Sequence, residues 1–160
     1  MIRTAILTIS DSAVRGLRED RSGPALEQRC RELGWEISAM KIVADEEDAI
    51  AEQLCDWADN TGVSLILTTG GTGVAARDVT PEATRRVLQH ELPGIAELMR
   101  AKGLEQTKLS ALSRAVAGTR GRTLIVNLPG SPRGALHSFD AIRDLVPHAA
   151  DLLSGRTEHG

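Results

Sequence analysis

The sequence predicts an α/β protein, a single three-layer domain over residues 1–154 in which a mostly parallel sheet is flanked by helices on both faces. Three observations predict it. Short β-rich apolar runs alternate with segments whose apolar residues recur at helical spacing. The chain's three distinctive loops, at Ser10, Gly70 and Pro129, each follow such a run, at the strand ends where open α/β sheets bind ligands. The length of 160 residues, with 41% hydrophobic and 26% charged, is that of one ordinary globular domain.

The elements follow in order. Ile2 to Ile9 reads as a buried strand ending in the polar turn Ser10-Asp11-Ser12, and Ala25, Leu26, Cys30 and Leu33 then form a helical stripe before Gly34. Trp35 to Val43 is the second strand. Asp45 is placed to cap the next helix, with Glu46, Glu47 and Asp48 at the positive end of its dipole. Ile50, Leu54, Trp57 and Ala58 make that helix's apolar stripe, and Gly62 stops it. Ser64 to Thr69 enters Gly70-Gly71-Thr72-Gly73, and Thr80-Pro81-Glu82, read as an N-cap with proline in the first turn, opens a helix expected to reach about Glu91. After Pro93-Gly94 a further helix carries Ile95, Leu98 and Met99. A turn over Gly118 to Gly121 introduces the strand Thr123 to Leu128, which ends at Pro129-Gly130-Ser131-Pro132. The closing helical pattern of Leu136, Phe139, Ile142, Leu145 and Val146 meets Pro147, expected to kink it or restart it before Leu152 and Leu153. Residues 155–160 are expected to be a flexible C-terminal tail.

Composition narrows the function classes. A net charge of -3 and a pI near 5.8, with basic residues dispersed among acids, argue against a nucleic-acid partner. The amino-terminal apolar stretch of about seven residues falls far short of the roughly 18 that span a bilayer, so no membrane partner and a cytoplasmic location are expected. Cys30 and Cys55 have no Cys-x-x-Cys spacing and are expected to be buried thiols of a reducing compartment. His90, His137, His148 and His159 have no metal-ligand spacing and are read as surface or helix-face residues. With Trp35, Trp57 and Phe139 the only aromatic residues, any flat ring must be gripped by backbone and aliphatic groups.

The chemistry concentrates around Gly70-Gly71-Thr72-Gly73. Glycines let backbone N–H groups approach an anion, although a tight strand-to-helix connection uses the same residues. No Gly-Lys-Ser/Thr follows, so this is not a Walker A loop. A polyphosphate site then needs other positive charge, for which Arg77 is nearest, while Asp45 and Asp78 supply oxygen ligands for Mg²⁺. Taken singly, Asp45 also reads as a helix cap and Asp78 as a turn residue.

The block Thr68-Thr69-Gly70-Gly71-Thr72-Gly73, followed by Arg77-Asp78-Val79-Thr80-Pro81-Glu82-Ala83-Thr84, resembles the signature of the molybdopterin adenylyltransferase family, which includes MogA, MoaB and the gephyrin G domain. Thr8-Ile9-Ser10-Asp11-Ser12, Asp20-Arg21-Ser22-Gly23, Leu112-Ser113-Arg114 and Asn127-Leu128-Pro129-Gly130-Ser131-Pro132 resemble further family motifs, in family order. The resemblance implies a homotrimer that takes ATP and molybdopterin as substrates, makes adenylylated molybdopterin and pyrophosphate with Mg²⁺, and hands its product to a molybdenum-inserting, MoeA-like partner. It implies Asp45 and Asp78 as catalytic, metal-holding acids. Ser10, Asp11, Thr69, Gly70, Gly71, Thr72, Gly73, Arg77, Glu82, Ser113, Asn127, Pro129, Gly130 and Ser131 are the implied substrate-binding positions. The chain departs from the family at Ala44, where members commonly carry proline before the acid matching Asp45.

Two other readings are weighed against this one. A MoaB-branch protein would bind or scaffold molybdopterin without adenylylating it, and would differ in assembling as a trimer or a hexamer. A generic doubly wound nucleotide binder would bind ATP without pterin and be indifferent to loss of Asp78.

Overall fold

In the computed structural model, which describes residues 1–156, three strands carry apolar side chains alternately to the two faces of one sheet. These are β1 (Arg3–Ile9), β3 (Leu65–Thr69) and β6 (Thr123–Leu128). Ile6, Leu65, Leu67, Leu124 and Val126 join one buried cluster; Ala5, Leu7, Ile66 and Ile125 join another. Both faces are covered, which is why these strands are nearly continuous in apolar character.

The helices supply the covers. On the first face lie α2 (Ser22–Glu32), α5 (Pro93–Gly103), α6 (Pro132–Ile142) and α7 (Leu145–Leu153), through residues such as Leu26, Met99, Phe139 and Val146. On the second lie α3 (Glu47–Asn60) and α4 (Thr80–Val87), through Ile50, Leu54, Trp57, Ala83 and Val87. Trp35 packs edge-on against Phe139, ring centroids 5.7 Å apart. This is the predicted three-layer α/β arrangement.

With β2 (Glu36–Val43), β4 (His90–Glu91) and β5 (Ala117–Arg120), the strand order is β2-β1-β3-β6-β5-β4. The first four strands run parallel, and β5 and β4 are antiparallel to their neighbours. From β1 the chain goes outward to β2 and then crosses to β3 on β1's other side. The loops after β1 and β3 therefore face each other across the crevice where such sheets bind ligands.

Several local expectations are corrected. Asp45 does not cap α3: the cap position is Glu46, and Asp45 is held elsewhere. Thr80 is the first residue of α4 rather than its cap. That helix ends at Val87, short of Glu91, because His90 and Glu91 leave to pair with Thr119 and Gly118. The turn expected over Gly118 to Gly121 is mostly the strand β5, with the reversal at Gly121. Gly118 lies so close under the His90 carbonyl that a side chain would not fit, and its glycine serves packing rather than turning. The Ser10-Asp11-Ser12 turn continues into a one-turn helix, α1 (Asp11–Val14). One of the two outcomes expected at Pro147 is met: α6 ends at Ile142 and a new helix starts at Leu145, with the proline ring in its first turn, where its missing N–H costs no bond.

Cys30 is fully buried and its thiol is pushed up to about 12 by burial, whereas Cys55 is only partly buried. Within the expected tail, Gly155 and Arg156 donate to the carbonyls of Leu152 and Asp151. Its remaining residues, 157–160, including His159, lie outside the described residues. No helix among the described residues is long and apolar enough to cross a membrane.

Candidate active site

At the end of β3 the chain turns through Gly70 and Gly71, at φ values of +102° and +69° that only glycine adopts without strain. Space requires glycine as well: a Cβ on Gly70 would strike the Ile9 carbonyl, and one on Gly71 would strike the Thr80 hydroxyl and approach Asp45 Oδ1 at 3.1 Å. The loop is pinned on every side. Gly70 donates to the Leu128 carbonyl at 3.1 Å, the Thr80 hydroxyl donates to the Gly70 carbonyl at 2.9 Å, and the Thr80 amide donates to the Gly71 carbonyl at 3.2 Å.

Asp45 reaches this loop from the end of β2. The Asp11 amide donates to Asp45 Oδ2 and the Asp45 amide donates to Asp11 Oδ1, both at 2.9 Å. Arg77 closes the group with Nε to Asp11 Oδ2, Nη2 to Asp11 Oδ1 and Nη2 to Glu46 Oε1, each at 3.0 Å. These hydrogen bonds from Arg77 hold the Asp11 carboxyl below its ordinary range. Asp45 moves the opposite way: burial raises it, the Asp11 amide opposes the rise, and the charges of Asp11 and Asp78 add to it. Asp78 shares the polar cavity with Asp45 and accepts from the Ala75 amide through Oδ2 at 3.0 Å.

Two cavities open beside this group. One, of about 590 Å³, is polar and is walled by Ser10, Asp20, Asp45, Gly70, Gly71 and Gly130, together with Arg18 and Arg21. The other, of about 540 Å³, is mainly aliphatic and is walled by Ala96, Met99, Leu109, Leu112 and Pro129, with Arg100, Ser113 and His137 among them. Asp78 and Ser131 line both.

The other expected site residues divide into two groups. Ser10 caps α1 and faces the polar cavity, and Thr72, Gly73, Ser113 and Pro129 face the apolar one. Three are engaged by the protein itself. Asn127 borders the aliphatic cavity but its side chain is fully buried, accepting from the Val116 amide at 3.1 Å and donating to the Thr68 and Thr84 hydroxyls at 3.0 Å. Thr69 donates to the Pro129 carbonyl at 2.7 Å, tying the two loops. Glu82 pairs with Arg114 at 2.6 Å and lies outside both cavities. Arg77 lines neither cavity.

Three residues escaped the sequence reading. Arg114 also donates to the Gly73 carbonyl at 2.7 Å and the Asp78 carbonyl at 2.8 Å, holding the loop that carries Asp78. Asp20 accepts from the Thr8 hydroxyl at 2.8 Å and the Gly23 amide at 3.0 Å, and Arg18 lines the polar cavity. Arg114 and Asp20 lie in noted motifs, so position marked them, but nothing local disclosed their partners.

No group of three or more His, Cys, Asp or Glu side chains among the described residues is arranged to hold a metal by itself. Asp45 and Asp78 on the polar cavity do fit Mg²⁺, which is commonly held by one or two carboxylates together with substrate phosphates.

Over residues 5–148 the chain matches the family described as "Probable molybdopterin binding domain". It is 42% identical over 156 residues to a molybdopterin adenylyltransferase of Helicobacter pylori, an alignment covering 96% of this chain and 89% of that one. It is 43% identical over 153 residues to the molybdenum cofactor synthesis protein cinnamon of Drosophila melanogaster, but spans only 26% of that protein's length. Among solved structures, the molybdopterin biosynthesis enzyme MoaB of Thermus thermophilus is 52% identical and superposes with a TM-score of 0.92, covering 97% of this chain and 98% of that one.

Proposed function

The chain belongs to the molybdopterin-binding-domain family, and from that premise we propose that it is a molybdopterin adenylyltransferase, transferring AMP from ATP to the terminal phosphate of molybdopterin and releasing pyrophosphate. The observation that carries this reading is the meeting of a polar and an aliphatic cavity at Asp78 and Ser131. Joining two substrates that each carry a flat ring and phosphate calls for such a junction.

The aliphatic cavity takes one substrate's ring, gripped by Met99, Leu109 and Leu112, as the scarcity of aromatic residues requires. The polar cavity takes the triphosphate, with the Gly70-Gly71 backbone allowing close approach and Arg18 and Arg21 offering positive charge. At the junction a phosphate oxygen of molybdopterin attacks the α-phosphorus of ATP in line. The new P–O bond forms as the bond to the bridging oxygen breaks, and pyrophosphate leaves with that oxygen. Asp45 and Asp78 would hold Mg²⁺, which when bound neutralises charge on the phosphates. The protein's own task is positioning, and no covalent enzyme intermediate is needed.

The same reading gives a homotrimer in the cytoplasm, with a MoeA-like protein inserting molybdenum afterwards. A MoaB-branch protein that binds molybdopterin without adenylylating it is the second reading; the likeness to the Thermus MoaB structure favours the branch, and turnover has to be measured. Incubation with molybdopterin, ATP and Mg²⁺, followed by mass spectrometry, separates the two. Adenylylated product from wild type but not from folded Asp45→Ala or Asp78→Ala supports the enzyme and both acids. Molybdopterin binding without product selects the second reading, and product from both variants removes the acids from the mechanism. Light scattering reads trimer against hexamer.

A further inference from the structure

Asp45 is one of the two acids on which the proposed reaction depends, yet the helix that follows it, α3, does not hold it. Its carboxylate is gripped by the Asp11 amide and its amide by the Asp11 carboxylate, a reciprocal pair of 2.9 Å bonds between the loops after β1 and β2. The Asp11 carboxylate is in turn fixed by the Nε and Nη2 fork of Arg77, which also reaches Glu46, the residue after Asp45. Arg77 immediately precedes Asp78, so one guanidinium ties together the three loops that bring both acids to the site.

This arrangement leaves Arg77 badly placed as a phosphate ligand. Among the described residues its hydrogen bonds all go to carboxylates, and it lines neither cavity, whereas Arg18 and Arg21 stand on the polar one. A bidentate arginine–carboxylate pair fixes direction as well as distance. Loops without such a tie would let Asp45 drift, and a displacement of about 1 Å at a reacting centre costs on the order of a hundredfold in rate.

We infer that Asp11 and Arg77 are positioning residues for Asp45, and that Arg77 acts through Asp11 rather than by meeting phosphate. The inference rests on the adenylyltransferase reading for its kinetic consequence, but the tie can be read without turnover.

The test compares wild type with Arg77→Gln, Asp11→Ala, the double variant and Arg77→Lys. It measures kcat and the KM for ATP, calorimetric binding of inorganic tripolyphosphate, the unfolding midpoint, and hydrogen exchange at the Asp45 amide. Each single variant should lower kcat roughly ten- to a hundredfold, the usual effect of losing an outer partner of a site ligand. KM and tripolyphosphate affinity should stay close to wild type. The double variant should be no slower than the worse single one, because both residues act on one path. Arg77→Lys, which keeps the charge but loses the fork, should recover only part of the rate.

Weakened tripolyphosphate binding in Arg77→Gln, or full additivity in the double variant, makes Arg77 a phosphate ligand and overturns the inference. An unchanged kcat in the single variants overturns it too. If wild type makes no adenylylated product, the functional reading fails separately and exchange decides: faster exchange at Asp45 in Arg77→Gln supports the tie, and unchanged exchange removes it.

Discussion

Asn127→Ala should cost about 4 kcal/mol of stability and leave substrate affinity in the surviving folded protein nearly unchanged. The magnitude follows from the side chain's partners. Removing its carbonyl orphans the Val116 amide, and removing its amide leaves the Thr68 hydroxyl without a partner. The Thr84 hydroxyl keeps its 2.8 Å bond to the Thr80 carbonyl and loses less. Two buried polar groups stranded at about 2 kcal/mol each give the total. At a urea slope of about 2 kcal/mol per molar, the midpoint falls by about 2 M. Heat unfolding should fall by on the order of 10 °C for a chain of this size. Urea titration followed by circular dichroism, with tripolyphosphate calorimetry below the transition, measures both quantities. A variant that unfolds like wild type while losing ligand affinity would refute the reasoning and return Asn127 to the binding surface.

Other substitutions probe different parts of the same design. Gly70→Ala combines a side chain at positive φ with a collision against the Ile9 carbonyl, and should destabilise by about 3 kcal/mol or more in denaturant titration. Arg18→Gln should weaken tripolyphosphate binding roughly three- to tenfold at low ionic strength, with the gap closing as salt is added; an equal loss at all salt concentrations would point to packing instead. Arg114→Gln frees the Gly73 and Asp78 carbonyls and should lower kcat by about tenfold with a small loss of stability, both read from the same purified sample. It should also change the acid response. Arg114 holds Glu82 below its ordinary value of 4.5, so the pair's contribution is present above that value and is lost as pH falls through the lowered one. Without Arg114 that dependence disappears, and the acid-unfolding curves of variant and wild type should converge at low pH.

Legibility in the sequence tracked how local each signal was. The strands at Ile2–Ile9, Ser64–Thr69 and Thr123–Leu128 stood out because coverage on both faces demands unbroken apolar runs, and the glycine loop because its glycines are consecutive. β4 and β5 were missed for the converse reason. Two and four residues long, they are defined by pairing with each other and with β6, and Gly118 reads locally as a turn. Asp45 looked like a cap because an acid before Glu-Glu-Asp usually is one, and the competing partner, Asp11, lies 34 residues away. Asn127 sat in a motif that looked like a ligand loop, but the strand runs through it to Leu128 and turns its amide inward.

The strand order also sets a timetable for synthesis. β3 lies between β1 and β6, and Leu65 pairs with Leu124, so when the ribosome has released the glycine loop one side of β3 has no neighbour. Gly70 at that moment lacks the Leu128 carbonyl that anchors it. An apolar edge of Leu65, Ile66 and Leu67 stays open until the final third of the chain has emerged, which is the stage at which nascent chains adhere to one another. Insertion of β6 closes that edge and seats the glycine loop in one late step, slowed by the long loop it must close. A chain interrupted before Thr123 is therefore both inert and sticky.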